Sequence, residues 1–408
     1  MQGKVISGGA TSRSLMGKAE HPLKLAALLS ALAIAGGSAP AADPKPSLKP
    51  KQIAAALPAP PANGEMGFVL TGFAPAVYQG KDDCPDGLAN TVQENYLQSL
   101  PALERARLLL KPNEPELTRK WKAYAVGPNN TNICADPELF DHPLLKTIQG
   151  KVAPGLDLDG KNGGAGAGGC SHDNFVSPTG ERGVDNQVYR ALGCSRNYRG
   201  IDGSAGDVVR GYNGFLATGE HSMVLLLRGV DSLVNDNDVD VVFATTGDRP
   251  ILDSQRNFIT GASYSVSDNP RWRNVLHGRI VNGVLTTDPH DVQLTRKVGH
   301  GGIRGANLEW QFRQGRFRLT FQPDGSVKGL FGGYQPVRSV VEMTLVGGIG
   351  AATVAGIDCA AELKTLKKMA DGMRDPKTGQ CTGISAALDV SAVPAFVTDR
   401  PATSMARN

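Results

Sequence analysis

Apolar and polar residues change rhythm several times along this chain, and each rhythm predicts a different kind of element. Leu88, Val92, Tyr96 and Leu97 recur at helical spacing. Pro101 should end that helix, because it has no N–H to donate and its ring clashes one turn back. "ALERARLLL" then reads as a second short helix and "NEPELTRKWKAYAVG" as a third. Residues 66–149 are accordingly expected to form a small helical subdomain. Between 150 and 214 the periodicity fades and Gly, Asp and Asn take over. Only "GVDNQVYRALGC" predicts order there, as a short helix with Val188, Tyr189 and Leu192 turned inward. A stretch this long without a pattern is usually functional or disordered. Its cysteines and the aromatics Phe175 and Tyr189 favour order.

From 215 to 340 the pattern is that of strands. "HSMVLLLRGV" is an apolar run of strand length, "DVDVVFATT" and "ASYSVS" alternate, and Asn282-Gly283 is a hairpin signal between two alternating runs. Gln314-Gly315 and Asp324-Gly325 predict two more tight turns. Phe317, Leu319 and Phe321 share one face of their strand, and Arg316, Arg318 and Thr320 share the other. One wet face and one dry face suit an antiparallel sheet, here a sandwich or a barrel-like domain. Residues 341–408 change again. "MTLVGGIGAATVAG" is apolar but too short and glycine-broken for a membrane span. "DCAAELKTLKKMADG" predicts an amphipathic helix, so the end of the chain reads as a helical tail clipped by a disulfide. The expected class is therefore α+β and β-dominated: an antiparallel sandwich or barrel-like domain, a small disulfide-stapled helical N-terminal part, and a helical C-terminal tail.

The beginning of the chain reads differently. "LAALLSALAIA" follows Lys18 and Lys24 and leads into the small residues Ala39 and Ala41, which predicts a signal peptide over 1–41. Met16 is a second candidate start. The proline-rich segment 42–65 reads as a linker. No cysteine follows the apolar run and no twin arginine precedes it. The protein is therefore expected in the periplasm or outside the cell, as in a bacterium.

Composition sharpens this picture in three respects. The 50 glycines and 26 prolines among 408 residues favour many short elements. The net charge is +4, and Lys4, Arg13, Lys18 and Lys24 against Glu20 place +3 of it in the first 41 residues. The remainder carries about +1, which removes any whole-chain electrostatic case for nucleic acid or for an anionic membrane. Cys84, Cys134, Cys170, Cys194, Cys359 and Cys381 form an even set in an exported chain and predict disulfides. Spacing suggests neighbours as partners: Cys84 with Cys134, Cys170 with Cys194, and Cys359 with Cys381. No CxxC or CxxCH occurs, so neither a cysteine metal site nor haem attachment is expected.

Candidate chemistry concentrates in two acidic loops. "GLDLDGKNGG" offers Asp157, Asp159 and Asn162, and calcium takes six to eight oxygens of this kind. The run resembles the first half of an EF-hand-type loop. It lacks that loop's glycine and its final bidentate acid, so ligands would have to come from elsewhere. Asp173, Asp185 and Asn186 are the nearest candidates. "NDNDVD" offers Asp236, Asp238 and Asp240, whose mutual repulsion a cation would relieve. No nucleophile elbow or zinc-protease helix occurs. His172 beside Asp173, and His290 between acids, are the candidates for base catalysis. Trp272, flanked by arginines, and Tyr189 with Arg196 are candidate ligand contacts for a glycan or an anionic polymer.

Three readings follow. The first is a non-enzymatic envelope or extracellular binding module stabilised by calcium, with a glycan, an envelope polymer or another protein as partner. The second is a hydrolase acting on such a polymer through His172, Asp173 and Asp185. The third is an accessory subunit of a periplasmic redox complex. Enzyme and binding module both remain open at this stage.

Overall fold

The computed structural model describes residues 57–160, 170, 172–200, 204–298, 306–342 and 357–399. The expected signal peptide, most of the linker, Asn162 and the apolar run 343–356 lie outside them. The chain divides into two units, Met1–Ser47 and Leu48–Asn408, and every described residue belongs to the second.

Eight strands of this unit form a closed antiparallel barrel. They are β1 (Met66–Pro75), β2 (Met223–Arg228), β3 (Asn235–Thr245), β5 (Arg273–Val281), β6 (Val284–Thr287), β8 (Ala306–Phe321), β9 (Val327–Pro336) and β11 (Cys381–Thr398). They pair in that order, and β11 returns to pair with β1. Closure removes the open edges that a sandwich would leave. Three short or peripheral strands complete the sheet: β4 (Ser263–Ser265) on β11, β7 (His290–Val298) on β8, and β10 (Gly372–Arg374) on β11.

Alternation explains what fills the barrel. Phe243, Phe312, Phe317 and Phe331 each belong to the inward set of their strand and are fully buried, as is Phe73 of β1. Their rings meet one another and Trp310 at centroid distances between 4.7 and 5.8 Å. An eight-stranded barrel has room for little more than its own side chains, and here aromatic rings occupy it. A second apolar layer lies on the outside, where Val69, Val224, Leu226 and Val242 pack under Tyr264 and Val266.

β1 and β11 depart from the sequence pattern. The pattern assigned Met66–Pro75 to a helical subdomain and the chain end to a helical tail. β1 and the stretch of β11 from Gly383 to Leu388 are buried on two faces, inside by the aromatic core and outside by covering layers, so neither alternates there; only β11 beyond Leu388 has one more exposed face. β11 is also rich in Ala, Ser and Gly, which carry little strand signal. The expected helices α1 (Val92–Gln98), α2 (Ala102–Leu108), α3 (Glu114–Tyr124), α4 (Gln187–Leu192) and α7 (Cys359–Met369) form, with Pro101 separating α1 from α2. Two helices carried no clear signal: α5 (Asp207–Thr218) and α6 at 337–342.

The turns show what a local signal can and cannot decide. Asn282 and Gly283 have φ of 51° and 79° and join β5 to β6 in two residues, the conformation a right-twisted hairpin needs. Asp324-Gly325 turns the chain from β8 to β9, with Asp324 Oδ1 accepting from the Ser326 amide. Gln314-Gly315 does not turn. β8 runs straight through it with a register shift between Arg313 and Arg316, so the positive φ of Gln314 serves a bulge.

β6 and β7 are one strand interrupted by Asp288-Pro289, since proline cannot donate to a ladder. The Asn274 side chain closes the resulting gap. Its Nδ2 donates to the Gln293 carbonyl at 2.9 Å and its Oδ1 accepts from the Gln293 amide at 2.9 Å. Asn274→Ala should leave both groups unpaired and cost about 1–3 kcal/mol. A urea midpoint unchanged from wild type would show that Asn274 does not fasten β7 to the barrel.

The disulfides also differ from expectation. Cys84 joins Cys194, Cys134 joins Cys359 and Cys170 joins Cys381, across 110, 225 and 211 residues. None links sequence neighbours, because the folded barrel sets Cys84 beside Cys194, Cys134 beside Cys359 and Cys170 beside Cys381. The link Cys134–Cys359 ties the helical subdomain to the start of α7. The link Cys170–Cys381 ties the glycine-rich segment to the head of β11.

Candidate functional site

The outer wall of the barrel at β8 and β9 carries Arg316, Leu330, Gly332 and Tyr334. The segment 152–158 lies against it. Leu156 and Leu158 pack on Tyr334, and a Cβ on Gly332 would stand 3.2 Å from Leu156. Glycine at this position lets the loop approach the strand. The segment 175–185 joins by short bridges, Phe175 to Val184 and Leu156 to Asp185.

These contacts turn three carboxylates toward one point. Ligand oxygens of Asp157, Asp159 and Asp185 lie within 4.8 Å of one another. Asp185 is 5 % exposed, and its Oδ2 accepts from the Leu158 amide at 2.7 Å. Asp157 Oδ1 accepts from the Gly160 amide at 2.7 Å, which shapes the turn. Asp371, just past α7, is anchored in the same corner. Its amide donates to the Gly383 carbonyl, and its Oδ1 accepts from the Ser385 amide at 2.7 Å.

The electrostatics follow from the geometry. Burial pushes the Asp185 carboxyl up to about 7, and the charges of Asp371 and Asp159 add to it against the Leu158 hydrogen bond. Desolvation likewise pushes Asp371 up to about 6, opposed by the Ser385 hydrogen bond. The Tyr334 phenol is raised by burial and by Asp185, Asp371 and Asp159. Arg316 of the same wall donates through Nη2 to the Leu158 carbonyl at 3.0 Å. The corner therefore gathers hard oxygen donors whose shared ionisation is costly. Proton uptake or a divalent cation would relieve that cost.

The other expected site residues fall elsewhere. The Asp173 carboxylate is exposed and lies 3.6 Å from Lys151, while its backbone carbonyl accepts from Arg190 and Gln187. It does not join the acidic corner. His172 is half-buried, and burial lowers its pKa against hydrogen bonding to the carbonyls of Ala370 and Lys368. It therefore sits by the end of α7. Asn186 is buried and spends its amide on the carbonyls of Ala76 and Pro154.

Asp236, Asp238 and Asp240 lie at the start of β3. Asp236 accepts from the amides of Asp231, Ser232 and Asp238, and so shapes a turn. His277 stands 3.7 Å from Asp238 and 3.4 Å from Asp240. This cluster does not converge as the first one does.

Tyr189 is buried and donates to Asp83 Oδ2 at 2.9 Å. Arg196 pairs with Glu94 at 2.8 Å. Trp272 is partly buried under the Arg271 guanidinium, which pairs with Glu309.

Asp371, Tyr334 and Arg316 carried no local signal, because only the pairing of β8, β9 and β11 brings them to the loop. The fold and the corner together define a disulfide-linked, closed antiparallel barrel bearing an acidic cluster on its outer wall. No family model matches the chain, and neither the curated proteins nor the solved structures give a match.

Proposed function

We propose that this protein is a non-enzymatic binding module of the bacterial periplasm or extracellular space, and that its acidic corner holds a calcium ion. The observation that carries the reading is the convergence of Asp157, Asp159 and Asp185 on one point. Three carboxylates offer up to six oxygens, and Asp371 stands close by. Backbone carbonyls and water would complete the set calcium requires. The ion would neutralise a corner whose own charges repel, and would hold the glycine-rich segment against β9. The export reading has its own support. Three disulfides form, and no helix among the described residues is long and apolar enough to cross a membrane. A glycan or envelope polymer is the partner suited to such a module.

Calorimetric titration of the protein with calcium tests this reading. Wild type should bind one ion, Asp159→Asn should weaken binding at least about tenfold, and Asp236→Asn should leave it unchanged. No heat with wild type, or equal binding by Asp159→Asn, would remove the ion from this corner.

One observation favours a second reading. A carboxyl near 7 beside one near 6 suits general acid and base work on a polymer bond. Under that reading the hydrolase residues are Asp185 and Asp371, with His172 at the margin and Asp173 outside. Turnover of an envelope polymer that Asp185→Asn abolishes would establish it.

A further inference from the structure

The α2–α3 hairpin pairs its acids with Arg107 and Lys120 along one solvent-facing side and leaves leucines exposed on another. Leu108 is the buried residue of α2 and faces the helical core with Leu117 and Trp121. On the same hairpin Arg107 pairs with Glu104 and Glu116, and Lys120 pairs with both of those acids. The opposite face is apolar. Leu103 is 88 % exposed, Leu109 60 % and Leu110 59 %. Ala102, Ala106, Pro101 and Pro112 are exposed beside them. At 100° per residue Ala102, Leu103, Ala106 and the C-cap Leu109 form one stripe, roughly opposite Leu108, and Leu110 follows in extended conformation just past the helix end. Isolated surface leucines need no explanation, but a contiguous stripe of them does.

Charge indicates what meets the stripe. The chain as a whole is nearly neutral after its first 41 residues, yet this hairpin is not. Between 101 and 124, Arg105, Arg107, Lys111, Arg119, Lys120 and Lys122 stand against Glu104, Glu114 and Glu116, which leaves +3. Lys111, Arg119 and Lys122 are exposed. A second copy of the chain is a poor occupant. A seven-residue helix is about 10 Å long, too short a strip for the roughly 800 Å² per partner that a stable dimer buries. An interfacial helix needs only a few apolar side chains at the acyl boundary and cations at headgroup level.

We propose that α2 and the Leu109-Leu110 turn dock this protein on an anionic lipid surface. The leucines enter the interface while Lys111, Arg119 and Lys122 face the phosphates. The contact is peripheral and weakens with salt, because exposed charges are screened within about a Debye length. It is independent of the acidic corner, which lies on other elements.

Sedimentation with vesicles tests it on the full chain as recovered from its host, disulfides intact. One set of vesicles is phosphatidylcholine with phosphatidylglycerol, the other phosphatidylcholine alone. Wild type should bind the anionic set at low salt, at least about tenfold more tightly than the neutral set. Leu103→Glu with Leu110→Glu should lose that binding at least about tenfold. Both positions are exposed, so the melting temperature should hold. A second variant, Lys111→Glu with Arg119→Glu, should lose binding to anionic vesicles while keeping the apolar stripe. Absence of wild-type binding, or equal binding by the leucine variant, would overturn the proposal. So would a dimer in the ultracentrifuge that the leucine variant dissolves without any vesicle binding.

Discussion

Without calcium, the folded protein is expected to lose stability as pH rises from about 4 to about 7, and millimolar calcium is expected to abolish that loss. The sign follows from Asp185, whose carboxyl burial pushes up to about 7. An unfolded chain releases this proton near the ordinary aspartate value of about 4. Between those limits the native state holds a proton that the unfolded state has lost. Rising pH therefore favours unfolding, and the effect levels off above the folded value. Three pH units at about 1.4 kcal/mol each give roughly 4 kcal/mol from Asp185 alone. Asp371, pushed up to about 6, acts in the same direction but shares the charge, so its contribution is not additive. Calcium pairs with the ionised carboxylates, so its stabilisation should be small at pH 5 and large at pH 8. Asp185→Asn should remove the largest part of that loss, leave the smaller part carried by Asp371 and by Asp389, which burial also pushes up to about 6, and erase the calcium response. Melting temperatures across this range, with calcium and with chelator, make the comparison. A flat wild-type profile, indifferent to both, would sink the account of the corner.

Replacing Cys134 and Cys359 by alanine is expected to be the most damaging change to the fold. The link spans 225 residues, and closing a loop of that size in the unfolded chain is worth about 5 kcal/mol in the chain-entropy model. That is comparable to the whole stability of many domains. The local consequence is specific. Asp358, next to Cys359, caps α7 through the amides of Ala360 and Ala361, and receives His142 Nδ1 at 2.6 Å and Asn95 Nδ2 at 2.7 Å. Two of these contacts cross from the helical subdomain to α7, so the disulfide and the buried carboxylate hold the same junction. Without the disulfide, the cluster of Val92, Leu97, Leu117 and Trp121 is expected to separate at lower temperature than the barrel. Tryptophan fluorescence should then fall before the far-ultraviolet strand signal. A single transition within a few degrees of wild type would show that the junction stands without its covalent link.

The helices and strands with one wet side were legible in the chain, and so were two of the three tight turns. Phe317, Leu319 and Phe321 alternate with Arg316, Arg318 and Thr320 because one face meets the aromatic core and the other does not. Asn282-Gly283 announces its turn because few other pairs accept positive φ at both positions. Gln314-Gly315 carries the same local signal and becomes a bulge, since its partner strand β9 continues past it. β1 and the first half of β11 were hidden because both of their faces are buried, which leaves no alternation to detect, and in the second half of β11 Ala and Ser dilute the strand signal.

The acidic corner divides in the same way. The order of residues by itself put Asp157 and Asp159 two apart before a glycine, named Asp185 as a donor, and showed an even set of cysteines. It determined the chemistry on offer and the β-rich class. The tertiary structure alone decided that Asp185 converges while Asp173 does not, that Asp371, Tyr334 and Arg316 complete the corner, and that each cysteine pairs with a distant one. The physical reason is that these contacts join segments up to 225 residues apart, set by which strand lies beside which in the closed barrel. A local pattern records a residue's preference for a face, but not the neighbour that face will meet.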